Sequence, residues 1–419
     1  MVKNKKRIVF GLVLSCWFIY TFSMCMKMAY SGSMASIKEE YNVPHVIASL
    51  PITLYYAFYA GVQFILAAIM KRINFKIYMA VTFILSAVSF VSVFFYSPMW
   101  YVGAVLALNG ITLGAVWCGS VAVFGKYLSF KTMNRALLFM GIGFSAGSTM
   151  SYGVSAIAVY FGNWRVSFIV FGIAFLLSTV YFLFALSRAE KADIKPQAEE
   201  SLLKKDVYSV EKVDVKLLLI LSTIIVFFAC LLYYGFTNWM PTIMSNVFGV
   251  SNSTANLISM LLPLVSYIGP VIAVLCCNKL KNDFLVTVIF CLVSTVIGLA
   301  LAFVFEINVI VTTAIILVLI VSLRVLSSMT GSLVPLHIRD YVNSGKSAAL
   351  INAVACIAAA CSPAIISFIL DLSGGDWGMG FLILFVFSVI MLAISVVFLV
   401  LRAVNRRKAS LRKDAFDNK

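Results

Sequence analysis

Ile8-Val-Phe-Gly-Leu-Val-Leu-Ser-Cys-Trp17-Phe-Ile-Tyr20-Thr-Phe-Ser23-Met-Cys-Met-Lys27-Met-Ala-Tyr30-Ser31-Gly-Ser-Met-Ala-Ser-Ile37 carries one charge, Lys27. The run is about thirty residues long, and about twenty apolar residues suffice to cross a bilayer as a helix. It is therefore read as a membrane span with length to spare. At helical spacing Trp17, Tyr20, Ser23, Lys27, Tyr30 and Ser31 share one face, while Val13, Phe18 and Phe22 lie opposite. A charge held within a span faces a protein interior or a wet cavity, which marks Lys27 as a functional candidate. The structural alternative is snorkelling to the headgroups.

The rest of the chain repeats the pattern. Of 419 residues, 62% are hydrophobic and 11% charged, a balance that excludes a soluble domain. Further spans are expected at His45–Met70, Ile77–Tyr96, Trp100–Phe124, Ala136–Phe161 and Val166–Ser187. After a polar stretch, Arg188–Lys216, six more follow: Leu217–Met240, Ser253–Cys277, Phe284–Phe305, Asn308–Val334, Ser347–Leu370 and Gly378–Leu401. The expected organisation is a six-helix bundle over 1–187, a linker over 188–216, a second bundle over 217–401 and a basic tail over 402–419. No cleavable signal peptide is read at the N-terminus.

The net charge of +16 does not point to nucleic acid, because the positions of the charges explain it. Apart from Lys27, Lys38, Arg165 and Arg324, every basic residue lies in a terminus or in one alternate set of connections. The positive-inside rule then places both termini in the cytoplasm, in a multi-pass protein of the cell (inner) membrane. The acidic residues all fall in loops or at span ends, so no span carries an embedded carboxylate. The nine cysteines lie in or beside apolar runs without metal spacing and read as small packing residues.

The hairpin before the sixth span reads Gly162-Asn-Trp164-Arg-Val-Ser-Phe168, and that before the twelfth reads Gly375-Asp-Trp377-Gly-Met-Gly-Phe381. The recurrence of Gly-x-Trp-x-x-x-Phe at equivalent places argues for parallel six-span repeats, an architecture that carries a substrate site between its halves. On these residues the chain resembles the major facilitator superfamily. It is similar in particular to the organophosphate:phosphate antiporters and the anion:cation symporters. Tyr234-Gly235-Phe-Thr-Asn238-Trp239-Met-Pro241-Thr242 resembles the Tyr-Gly-x-x-x-Trp-x-Pro-Thr run of the first group, and Tyr59 with Gln63-Phe-Ile-Leu-Ala67 resembles its second-span signature. Lys27 falls where those families carry a substrate-binding arginine. The resemblance implies an all-α, twelve-helix transporter working by alternating access.

The departures are equally specific. Lys71-Arg72 and Asn278-Lys279 stand where the superfamily's loop motif places aspartate, and Tyr233 stands at the position of a second arginine. Gly141-Ile-Gly143-Phe-Ser145-Ala-Gly147 lacks the expected histidine, and Met26 replaces the symporters' carboxylate. The three glycines, like the Ala-rich stretch Ala353–Ala360, are read as close helix-packing positions.

Arg324, near the middle of the tenth span, is the second embedded cation, with Ser327, Ser328, Gly331 and Ser332 following on its face. Guanidinium satisfied by backbone carbonyls is its structural alternative. With no carboxylate in any span, an anionic substrate is the economical partner for the two cations. Tyr59, Trp117, Tyr233, Asn238, Tyr267 and Asn352 are the further candidates to line its site. The expected cargo is a small organic anion (carboxylate, phosphate ester or sulfonate), carried as a monomer in the lipid bilayer without nucleic acid or cofactor. Exchange of anions is favoured over proton-coupled symport because His45 and His337 lie at span ends. A transporter-like anion sensor is the other reading. An enzyme is not expected, since no nucleophile or metal constellation is present.

Overall fold

The structure, a computed structural model, describes residues 2–69, 74–192, 211–342 and 344–417. Lys71, Arg72 and most of the expected linker, residues 193–210, lie outside the described residues. Every regular element among the described residues is helical. In chain order these are α1 (Val2–Tyr41), α2 (His45–Ile69), α3 (Phe75–Ser92), α4 (Met99–Leu113), α5 (Ala115–Tyr127), α6 (Phe130–Tyr160) and α7 (Arg165–Lys191). After the linker come α8 (Lys212–Phe248), α9 (Asn252–Ser259), α10 (Leu261–Ser266), α11 (Ile268–Leu280), α12 (Asp283–Val304), α13 (Val309–Ser328), α14 (Val334–His337), α15 (Ser344–Leu372) and α16 (Trp377–Asp417). The protein is an all-α membrane protein, and its pieces group into the twelve stretches expected.

Ten of these stretches are long and apolar enough to cross a membrane among the described residues. The other two are α3, whose apolar part Lys76–Ser92 is short, and α6, which is long but diluted by Gly141, Gly143, Ser145, Gly147 and Ser148. Three expected spans are interrupted. The fourth breaks at Gly114, between α4 and α5. The eighth is divided at Met260 and Tyr267, around a short helix that holds Pro263. The tenth passes through a π-helical turn, Met329–Leu333. In a regular helix the Pro335 ring would strike the Gly331 carbonyl, and the wider turn relieves that clash.

The chain forms two compact units. Unit one comprises Met1–Lys204, Thr237–Leu264 and Pro363–Asp371; unit two comprises Lys205–Phe236, Val265–Ser362 and Leu372–Lys419. In unit one α1 packs on α6 and α7, α2 on α4, α3 on α7, and α9 on α6. In unit two α12 packs on α13 and α16, and α11 on α13. Phe18 stacks on Phe22 and meets Tyr181 of α7 edge-on at 6.3 Å, so the face of α1 opposite Lys27 is a helix-packing face.

The repeated hairpin builds the same local object twice. Gly162 and Gly375 both take left-handed backbone, at φ 73° and 91°, which only glycine adopts freely. Phe168 then stacks on Phe90 at 4.6 Å, and Phe381 packs on Phe305 at 4.9 Å. Each phenylalanine also receives its own tryptophan, Trp164 at 5.5 Å and Trp377 at 6.5 Å.

The glycines of α6 divide by role. A Cβ on Gly143 would lie 2.7 Å from Thr21 Oγ1 and 3.1 Å from Trp17 Nε1, and one on Gly147 would lie 2.9 Å from Met24 Cβ. These two glycines let α1 and α6 touch. A Cβ on Gly141 meets nothing described within 4 Å.

One end of unit two is held by charge. Asp214 is fully buried, with Arg402 Nε at 2.9 Å and Arg406 Nη2 at 2.7 Å from its Oδ2. Beside it Asp283 pairs with His337 at 2.9 Å, both buried.

Candidate functional site

Lys27 lies within α1 and is 7% exposed. Its Nζ sits over the Tyr56 ring, 4.7 Å from the centroid. Tyr55 meets Tyr56 edge-on at 5.5 Å and stacks on Tyr59 at 5.9 Å, so the ring under the ammonium belongs to a run of three tyrosines in contact along α2. Two turns back along the same face of α1, Tyr20 lies 5.2 Å from Trp117 of α5. Trp17 instead stacks on Phe139 of α6 at 5.2 Å. A ring face attracts a cation through its quadrupole but leaves the formal charge in place.

One turn beyond Lys27, Ser31 Oγ donates to Asn238 Oδ1 at 2.8 Å. Asn238 is completely buried and comes from the part of α8 that belongs to unit one. The same end of unit one holds further polar ties. Asn256 Nδ2 donates to the Gly32 carbonyl at 2.7 Å, and Tyr152 Oη donates to the Thr237 carbonyl. That last bond has a backbone cause: Pro241 has no N–H to give Thr237 its helical partner, so a side chain supplies one. Ser253 Oγ donates to the Ala156 carbonyl at 2.9 Å, and Ser49 Oγ to Ser367 Oγ at 2.8 Å. Together these bonds close a polar seal at the Lys38 end of unit one.

Arg324 belongs to unit two and sits on α13 with its guanidinium over the Tyr233 ring, 5.2 Å from the centroid. Tyr233 is 2% exposed and meets Tyr234 edge-on at 5.2 Å. A Cβ on Gly269 would fall 2.5 Å from Arg324 Cβ and 3.0 Å from its carbonyl carbon. Glycine there is what lets α11 cross α13 at the arginine. One turn further, Ser327 Oγ and Cys230 Sγ lie 3.7 Å apart and tie α13 to α8. The π-helical turn opens shortly after, and such turns recur at functional sites.

Of the expected lining residues, Tyr59 and Trp117 are half-buried in unit one, Asn238 is buried there, and Tyr233 is buried against Arg324 in unit two. Tyr267, just before α11, and Asn352, on α15, are exposed. Tyr56 was not among the candidates, although its adjacency to Tyr55 and spacing from Tyr59 held the signal. Asn256 was missed as well; a lone asparagine one turn after Asn252 reads equally well as a helix-start residue. No group of three His, Cys, Asp or Glu among the described residues is placed to hold a metal ion.

Residues 16–358 match the family model described as Major Facilitator Superfamily. Among solved structures the chain is similar to a bacterial homologue of the human lysosomal transporter Spinster. The inward-facing, occupied form superposes with a TM-score of 0.74 at 14% identity, covering 92% of this chain and 96% of that one. Its inward-facing, unoccupied form gives 0.74 at 14%, covering 96% and 98%. A mutant of the nucleoside transporter NupG gives 0.70 at 10%, covering 92% and 99%. At these identities the likeness is one of fold. No curated protein shows a significant match to the sequence.

Proposed function

The chain belongs to the major facilitator superfamily, and from that premise we propose that it carries a small organic anion across the membrane, exchanging one anion for another by alternating access. The observation that carries this reading is the placement of its two embedded cations. Lys27 in unit one and Arg324 in unit two each rest against a tyrosine face, and a ring face leaves a cation's formal charge in place. A lysine supplies a point charge and an arginine a planar fork, a pair suited to carboxylate, phosphate ester or sulfonate. Exchange follows from cost. Moving two cations through the membrane interior is costly, and an anion on board reduces that penalty.

Both termini and the linker are assigned to the cytoplasm by the distribution of basic residues, which puts the seal at the Lys38 end on the outside. A panel of glycerol 3-phosphate, succinate, benzoate and isethionate tests the substrate class by thermal stabilisation of the detergent-purified protein. A ligand at a hundred times its dissociation constant stabilises by about 2.7 kcal/mol. Stabilisation by at least one anion, absent in Lys27→Ala and Arg324→Ala, is expected. Stabilisation by nucleosides or cationic amphiphiles alone would exclude the anion reading.

A further inference from the structure

Lys38, His45 and Asp371 come from α1, α2 and α15 and meet at the sealed end of unit one, about three turns beyond Lys27 along α1. Lys38 Nζ lies 2.8 Å from His45 Nε2, and His45 Nδ1 lies 2.9 Å from Asp371 Oδ1. Asp371 also caps the start of α2, accepting from the His45 N–H at 2.9 Å and the Val46 N–H at 2.8 Å. One carboxylate thus fastens the end of α15 to the head of α2 through three bonds. The His45 side chain is 10% exposed, with the Trp239 ring of α8 5.9 Å away.

The donors fix the protonation state. A lysine ammonium can only donate, so His45 Nε2 must accept and carry no proton. Nδ1 then holds the ring's single hydrogen and donates it to Asp371. A second proton on the imidazole would turn Nε2–H toward the ammonium, replacing a hydrogen bond by a contact between two cations. Glu39 of α1, also at this end, is exposed and accepts from Asn252 Nδ2 at 3.0 Å. Glu40 is taken up by Arg165 and by Trp164 Nε1 at 2.7 Å, and does not offset the added charge.

We propose that Lys38, His45 and Asp371 form a proton-binding site, and that a proton taken up by His45 loosens the seal at this end of unit one. The proton acts as an opener of this end and need not be cargo. The inference goes beyond anion exchange and holds whatever the carrier transports.

The size of the effect follows from linkage. A solvated imidazole titrates near ~6.5, and the full linkage effect is reached where the Lys38 ammonium outweighs Asp371 and the sealed arrangement takes only the neutral ring. Between pH 7.5 and 5.5 the opening equilibrium then rises by about tenfold. Hydrogen–deuterium exchange of the purified protein in nanodiscs, corrected for the intrinsic pH dependence, reads this directly. Protection of residues 28–38 and 237–248 is expected to fall about tenfold over that range in the native protein. In His45→Gln the pH response should vanish, because the amide offers an acceptor and a donor but does not titrate. Lys38→Met provides a second arm: without the opposing ammonium, protonation is tolerated and the response should shrink or disappear. A native protein whose protection is unchanged or increased at pH 5.5 would overturn the proposal. So would a His45→Gln or Lys38→Met variant that keeps the full response.

Discussion

Gly32→Ala probes the seal at its tightest point. A Cβ there would lie 2.8 Å from both Ser155 Cβ and Ser155 Oγ, and 3.0 Å from Asn256 Oδ1. Carbon atoms pack at about 3.5–4.0 Å, so α1 must move roughly an ångström away from these neighbours. Overpacking of this kind costs about 1–3 kcal/mol. The Asn256 Nδ2 bond to the Gly32 carbonyl is stretched at the same time, which adds about 0.5–1.5 kcal/mol. Alanine returns about 1 kcal/mol of helix propensity. The net expectation is about 0.5–3.5 kcal/mol against the closed arrangement, or a roughly 2- to 400-fold larger opening constant. Hydrogen exchange of residues 28–38 and 252–259 measures it. Because Ser155 supplies two of the three close atoms, adding Ser155→Gly should restore most of the protection. Unchanged protection in Gly32→Ala, or a double variant as open as the single one, would refute the packing argument.

The glycines of α6 give a paired test. Gly141→Ala should be neutral or slightly stabilising in a thermal melt, whereas Gly147→Ala, facing the Thr21 carbonyl and Met24, should lower the yield of folded protein. Asp214→Ala leaves Arg402 to Asn282 and the half-exposed Arg406 to Glu211, and should cost about 1–3 kcal/mol, read as a lower melting temperature with membrane insertion intact. Tags at both termini, and a cysteine introduced near Lys195, should be cytoplasmic; labelling of that cysteine by an impermeant reagent in intact cells would contradict the orientation.

The spans were legible because bilayer thickness imposes a length and a composition on each helix, and the Gly-x-Trp-x-x-x-Phe repeat because a left-handed glycine and an aromatic anchor recur in fixed register. Lys27 and Arg324 stood out since a charge in an apolar run is costly to keep there. What the sequence hid depends on meetings between distant residues. His45 and Asp371 are 326 positions apart, and each alone reads as an ordinary span-end polar residue. Tyr56 beneath Lys27 was hidden differently: three tyrosines on α2 were visible, but which of them turns to α1 depends on how the helices cross. The interruptions at Gly114, Tyr267 and the turn before Pro335 escaped notice because hydropathy does not change where a helix breaks inside the membrane.

Counterflow in proteoliposomes tests most directly whether Lys27 and Arg324 carry an anion by exchange. Vesicles are loaded with whichever of the four panel anions stabilises the protein most, and uptake of the same anion in labelled form is followed. Uptake should depend on the internal anion, be lost in Lys27→Ala and Arg324→Ala, and be reduced less by Lys27→Arg, since arginine keeps the charge while changing its shape. A pH gradient alone should drive no accumulation into empty vesicles. Strong proton-driven accumulation into empty vesicles, or counterflow at the native rate in Lys27→Ala, would contradict it.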